Sequence, residues 1–319
     1  MKYNKVLIVG GTGFLGASVA SYLISNGAQV RIMSRGHASP VVGIPCDVEH
    51  YVGDFGNSGD VKEALSGVDC VLHFASTTNP KTSESDIMFD IRSNLQSTIT
   101  LLDACVKAKV KHFVYCSSGG TVYGECESLP VSEKSVCFPI SSYGIVKFTI
   151  ENYIKYFYHR YQIKYSILRL SNPYGIGQLP FSGQGVIGIF LHKILRGEKI
   201  QIFGDGQTVR DYIYVKDFCD LCYRVLKSTK HYNKIINVGS GTGTSLNEVV
   251  NAVEMALGVK ADIEYMPSRN FDVPAIYLDI NKAKELYGWE PQTHLYDGVK
   301  QTAEWLQSVT SKGGVSCVK

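Results

Sequence analysis

The sequence has no apolar run near the ~20 residues needed to cross a bilayer, and its charges nearly cancel. Lys+Arg number 32 against Asp+Glu 29, a formal net charge of +3, and the two signs are interspersed. Without a basic field there is nothing to draw nucleic acid or an acidic membrane surface, and neither is expected as a partner. There is no internal repeat, low-complexity tract or obvious linker. The nine cysteines are an odd count, and Met1–Gly10 enters a strand-like run at once, without a signal-peptide pattern. They read as reduced thiols in a cytoplasmic chain, not as a disulfide scaffold. The eight histidines are dispersed without ligand-like spacing. Cys219-Asp220-Leu221-Cys222 has CxxC spacing but no second pair, so no metal is expected.

What is present is a 45% hydrophobic chain of 319 residues, too apolar for disorder and long enough for about two domains. Lys5–Val9, Gln29–Met33, Cys70–Phe74 and His112–Cys116 are short β-rich runs. Phe14–Ile24, a stretch at roughly 86–109, and Tyr143–Tyr161 have helical spacing. Such alternation predicts an α/β fold with a doubly wound parallel sheet. After about Arg169 the runs shorten and are broken by Pro, Gly and Asn, with strand-like returns at Tyr212–Val215 and Ile235–Val238.

Gly11-Thr12-Gly13-Phe14-Leu15-Gly16, preceded by Gly10, fits G-x-G-x-x-G between a buried strand and a helix. In that context the first glycines permit a tight turn and close approach of a pyrophosphate at the helix N-terminus. The last lets helix pack on strand. The expected organisation is a Rossmann domain at 1–171 with a return near 212–240, a substrate lobe at 172–211 and 241–307, and a frayed tail at 308–319. A second cluster, Gly239-Ser240-Gly241-Thr242-Gly243, follows a strand without the right spacing. After the next strand comes Ser34-Arg35 rather than an acid. A hydroxyl and a guanidinium suit a 2′-phosphate, which favours NADP over NAD.

Tyr143 and Lys147 stand at i and i+4 on one helical face. A phenol with an ordinary pKa near ~10 is a poor base at neutral pH; a neighbouring ammonium and a positive nicotinamide ring favour its ionised form. The turn Ser117-Ser118-Gly119-Gly120-Thr121-Val122-Tyr123-Gly124 supplies hydroxyls at a strand's C-terminal end, where α/β ligand sites lie.

These motifs, with Gly53-Asp54, His73-Phe74-Ala75-Ser76, Asn94, Asn172-Pro173-Tyr174-Gly175, Arg210-Asp211-Tyr212, and Arg269 with Asp272, resemble the NAD-dependent epimerase/dehydratase family of extended short-chain dehydrogenase/reductases. Its members act on nucleotide sugars. The resemblance implies that Asp54 and Phe55 meet adenine, that Phe74, Ala75, Ser76 and Asn94 flank the cofactor, and that Tyr143 is the acid/base with Lys147 as partner. It also implies that Asn172, Arg210, Arg269 and Asp272 hold the nucleotide-diphosphate sugar. A homodimer is expected through helices near Ile91–Lys107 and Tyr143–Tyr161, where the aromatic stretch Tyr153, Tyr156, Phe157, Tyr158, Tyr161 would serve as a packing face.

Two departures refine this. The family's hydroxyl third in the Ser-rich turn is Gly119 here, leaving Ser118 or Thr121 to supply it. The Asp-Glu pair of the dehydratases is also missing, which disfavours dehydration. The expected activity is reduction of a 4-keto-6-deoxy nucleotide sugar at C4. Epimerisation at C4 with bound NAD is the alternative, and a non-catalytic cofactor-binding protein a distant third.

Overall fold

The structure, a computed structural model, describes residues 2–36, 43–45, 47–180, 184–268 and 273–311. Strand and helix alternate through its first half: β1 (Val6–Val9), α1 (Phe14–Ser25), β2 (Val30–Ser34), β3 (Glu49–Val52), α2 (Ser58–Ala64) and β4 (Cys70–His73). There follow α3 (Pro80–Ser85), α4 (Ile87–Asp90), a π-helical segment at Ile91–Gln96, α5 (Ser97–Lys107), β5 (His112–Ser118), α6 (Ser142–Tyr161) and β6 (Lys164–Leu170). The remaining elements are β7 (Asn172–Tyr174), α7 (Val186–Leu195), β8 (Ile200–Phe203), β9 (Val209–Arg210), β10 (Tyr212–Tyr214), α8 (Val215–Lys227) and β11 (Lys234–Val238). The chain ends with β12 (Thr244–Ser245), α9 (Leu246–Leu257), β13 (Ile263–Met266), β14 (Ala275–Ile276), α10 (Asn281–Tyr287) and α11 (Leu295–Ser311).

Seven strands form one sheet in the order β3-β2-β1-β4-β5-β6-β11, and every neighbouring pair is parallel. This is the Rossmann order with one strand added. The direction of winding reverses between β1 and β4, which opens a crevice at their C-terminal ends. Side chains alternate across the sheet. Val6 and Ile8 join Val19, Leu23, Phe218 and Trp289 on one face, while Leu7 and Val9 join Leu101, Leu102, Ile150 and Ile154 on the other. A third core, with Tyr174, Ile187, Phe190, Val249, Val253, Val299 and Leu306, lies among α7, α9 and α11.

Several expectations needed correction. β3 and β6 have no clear apolar run. β3 is an exposed edge strand, and β6 carries Ser166 and Arg169 into the core, where each has a buried partner. The helix expected over 86–109 is interrupted by the π-helical segment. The residues 308–311, expected as tail, continue α11. Cys219 and Cys222 are buried on α8 in the first core, and the seven cysteines among the described residues are free thiols. No helix among the described residues is long and apolar enough to cross a membrane.

Candidate active site

Three glycines of the turn are required by the protein itself. A Cβ on Gly10 would lie 2.7 Å from the Ala75 nitrogen, one on Gly11 2.4 Å from Ile32 Cβ, and one on Gly16 2.2 Å from the Gly10 carbonyl. Gly13 is different: a Cβ there would meet only the Gly10 oxygen, at an ordinary 3.5 Å. It is the N-cap of α1, which begins without a side-chain cap or an acidic residue in its first turn. An open glycine and helix N–H groups lacking a side-chain acceptor fit the diphosphate of a dinucleotide; Thr12, Phe14 and Leu15 flank this glycine in the chain.

The residues expected around the rest of the cofactor divide. Ala75 and the exposed Ser76 line a narrow cavity at the end of β4, and Asp54 is exposed in the turn after β3. Phe55, expected against adenine, is buried and its ring packs 5.2 Å from that of His73; it is a core residue. Phe74 packs edge-on against Phe218 of α8. Asn94 lines the cavity, but its side chain is committed to the protein: Oδ1 accepts from Thr77 N–H at 2.9 Å, while Nδ2 donates to Thr78 Oγ1 and Asp90 Oδ1. Ser34 is likewise engaged, donating to the Gly36 carbonyl at 2.7 Å and lying 2.8 Å from His50 Nε2. Arg35 beside it is exposed.

Tyr143 and Lys147, expected as the acid/base and its partner, lie close together. Ser141 caps α6, placing Tyr143 in its first turn and Lys147 one turn later. Both line the narrow cavity with Tyr115, Asp90 and Asn94. Lys147 Nζ donates to the Cys116 carbonyl at 3.1 Å and sits 5.5 Å from the centre of the Tyr143 ring and 5.0 Å from that of Tyr115. Burial alone would push the ammonium pKa down, but the neighbouring Tyr115 and Tyr143 phenols and the Cys116 thiol outweigh it, so Lys147 is a cation at neutral pH. His73 beneath the site is held neutral by burial and by Lys147, its pKa pushed down to about 3.

In the Ser-rich turn a Cβ on Gly119 would lie 2.6 Å from Leu278 Cδ1 and 3.0 Å from the Arg169 carbonyl. A side chain at that position would crowd Leu278 and the Arg169 carbonyl. Ser117 Oγ donates to Glu151 at 2.6 Å. Thr121 Oγ1 is buried and has no hydrogen-bond partner among the described residues, and the Thr121 carbonyl lies against Gly144, the neighbour of Tyr143. Ser118 is half-buried at the end of β5.

Asn172 and Arg210, expected to hold the sugar nucleotide, line a cavity of about 320 Å³ together with Tyr174, Phe190, Gln201, Phe203 and Tyr212. Asp211 does not form the surface ion pair with Arg210 that adjacency suggests. It is buried, accepting hydrogen bonds from Ser240 N–H, Ser240 Oγ, Gly241 N–H and Leu278 N–H. This explains the second glycine cluster: a Cβ on Gly239 would lie 2.2 Å from Asp211 Oδ2. The loop wraps an internal carboxylate. Arg269 and Asp272 lie outside the described residues. Tyr115, Asp90, Glu151 and Arg169 are the residues that sequence reasoning missed around the site.

Residues 6–239 match the NAD dependent epimerase/dehydratase family. A putative UDP-glucose 4-epimerase of Methanocaldococcus jannaschii is 36% identical over 304 residues, covering 95% of this chain and 98% of that one. A dTDP-4-dehydro-6-deoxyglucose reductase of Escherichia coli is 31% identical, covering 93% and 95%. Among solved structures, the UDP-glucose 4-epimerase of Thermus thermophilus in complex with NAD superposes with a TM-score of 0.89 at 29% identity, over 95% of this chain and 99% of that one. With the glycine turn, the Tyr143–Lys147 pair and the sheet order already pointing to one enzyme class, the match over most of the chain completes the assignment: this protein belongs to the NAD-dependent epimerase/dehydratase family.

Proposed function

We propose that the protein interconverts the C4 epimers of a nucleotide-diphosphate hexose, a UDP-hexose in first place, with NAD held in the crevice between β1 and β4. The observation that carries this reading is the buried, cationic Lys147 beneath the Tyr143 ring, next to a turn in which Gly119 and Gly120 provide no acid. A nicotinamide dinucleotide, when bound, supplies reversible hydride transfer at a sugar carbon. Tyr143 takes the proton of the C4 hydroxyl and returns it to the same oxygen, with the Lys147 ammonium facing its ring. Arg210 and Asn172 hold the diphosphate end, with Arg269 and Asp272 assigned there by resemblance. Thr121 or Ser118 supplies the second hydroxyl.

The expectation of an NADPH-consuming reductase ranks second. Ser34, one of the two groups that argued for a 2′-phosphate, already donates to the Gly36 carbonyl, and relatives named as epimerases include the 36% identical one. Exposed Arg35 and the 31% identical reductase favour the second reading. Support for a homodimer comes from Ile145, Tyr153, Tyr156 and Tyr161, which α6 exposes beside α5. The 1–171 and 172–307 partition remains our reading of how cofactor and sugar are shared, with α8 and β11 returning to the first part.

Mass spectrometry of the released cofactor, followed by NMR of UDP-glucose incubations, tests the proposal. Co-purifying NAD and a growing galactose-configured anomeric signal, without net absorbance change at 340 nm, are expected. Stoichiometric NADPH consumption with a 4-keto-6-deoxy sugar nucleotide, and no epimerisation, would overturn it.

A further inference from the structure

Among the described residues, Asp90 is the only carboxylate lining the narrow cavity of Tyr143 and Lys147, and it is 0% exposed. We propose that Asp90 is a positioning residue that clamps the turn after β4 to the start of the helix bearing Tyr143, fixing the width of the reaction cleft. Its Oδ1 accepts from Thr78 Oγ1 at 2.6 Å and from Asn94 Nδ2 at 2.8 Å; its Oδ2 accepts from Ser142 Oγ at 3.0 Å. Thr78 belongs to the turn whose Ala75 and Ser76 line the cavity. Ser142 immediately precedes Tyr143. One carboxylate thus joins the cofactor side of the cleft to the acid/base side.

The clamp is built on both sides. Asn94 Oδ1 takes the Thr77 N–H, and Ser76 Oγ donates to the Thr78 carbonyl. On the other side Glu84 Oε1 accepts the Ser142 N–H at 2.8 Å, so two carboxylates meet the first turn of α6, where the helix dipole favours them. The two oxygens of the Asp90 carboxyl between them meet all three donors, two on Oδ1 and one on Oδ2. Asp90 ends α4, and Asn94 lies within the π-helical segment that follows, an irregularity found often at functional sites. A core residue that merely filled space would not need to bridge these two segments.

The inference rests on the epimerase reading only through its kinetic arm. Asp90→Ala should lower kcat by about tenfold or more while KM and NAD affinity stay within about threefold, because small misplacements of a reacting group are amplified in rate. Asp90→Asn, which keeps the shape and an acceptor toward Thr78, should recover most of the loss. Ser142→Ala should lose part of it, and the Asp90→Ala/Ser142→Ala double variant should be no worse than Asp90→Ala alone. Wild-type kcat in Asp90→Ala, equal losses of kcat and NAD affinity, or additive effects in the double variant would overturn the proposal. Should Asp90→Ala fail to fold, Ser142→Ala and Thr78→Val each remove one arm, and both must lower kcat without raising KM. Amide hydrogen exchange provides the activity-free arm: residues 76–79 and 141–147 should lose protection together in Asp90→Ala. If wild type turns over no nucleotide sugar, the functional reading fails while exchange still decides the clamp; unchanged exchange refutes it.

Discussion

Glu151 and Arg169 form a bidentate ion pair inside the protein, Arg169 Nη2 to Oε2 at 2.7 Å and Nε to Oε1 at 3.0 Å, with 0% and 2% of the two residues exposed. Glu151 continues the face of α6 that carries Tyr143 and Lys147, so the pair bolts this helix to β6. Removing one partner leaves a buried charge. Glu151→Ala should therefore destabilise the fold by about 3–5 kcal/mol, read as a shift of the urea midpoint. Replacing both residues together, with Met and Leu, should recover much of that loss; equal destabilisation by single and double variants would refute the pairing argument.

Tyr143→Phe deletes only the phenolic hydroxyl. kcat should fall by roughly 10²–10⁴, the range that positioned acid–base groups supply, with NAD affinity nearly unchanged by fluorescence titration. Lys147→Ala should lower both, on the proposed reading that the same cation faces the phenol and also serves the bound cofactor.

Thr121→Val removes a buried hydroxyl that has no partner among the described residues. Stability should hold or rise, because an unsatisfied polar group disappears, so any fall in kcat is chemical. Ser117→Ala should do the reverse. Its hydroxyl serves Glu151, and its loss belongs in the denaturation curve, not in turnover. Equal kinetic effects of the two would show the turn to be purely structural.

For the cofactor, Arg35→Ala should leave NAD affinity within about threefold while weakening NADP by about tenfold, the size of one charge-assisted hydrogen bond. Isothermal titration of both cofactors measures this. Tighter NADP than NAD binding in the wild type would restore the reductase reading.

Stability should fall in acid. Burial holds the pKa of His73 down to about 3, with Lys147 adding to the effect, and burial likewise lowers His112 to about 3, helped by Lys2 and Lys164. Both are neutral in the folded chain but take protons when unfolded below about 6.5. The unfolded state therefore binds more protons between about pH 6.5 and 3, and stability drops by about 1 kcal/mol per pH unit for each. Urea midpoints from pH 7 to 5 should show the slope, and His112→Asn should roughly halve it.

The elements that build the cofactor crevice were legible because local signals agree there: apolar runs at β1, β4 and β5, a glycine turn, and helical spacing in α1 and α6. Phe55 and Asn94 were expected at the cofactor, but the direction of their side chains is set by His73, Thr77 and Asp90, which spacing cannot reveal. Asp90 itself reads like any solvated helix residue. Its burial arises from Thr78 and Ser142, 12 and 52 positions away. Ser34 is a similar case: its hydroxyl is engaged by the Gly36 carbonyl and by His50 across the β2–β3 pair, contacts that spacing does not show.

The end of the chain serves both halves of the molecule. Ala283 and Trp289 enter the core beneath α1 and α8, while Val299, Ala303 and Leu306 of α11 close the core around Tyr174. Tyr174 presses against Gly298 so closely that a Cβ there would lie 2.2 Å from its hydroxyl. Both of these cores therefore stay open until the segment from Ala283 to Leu306 has been made and packed. A chain shortened before α11 would expose the apolar sides of α7 and α9 together, and should be found with chaperones or in aggregates rather than as a smaller working enzyme.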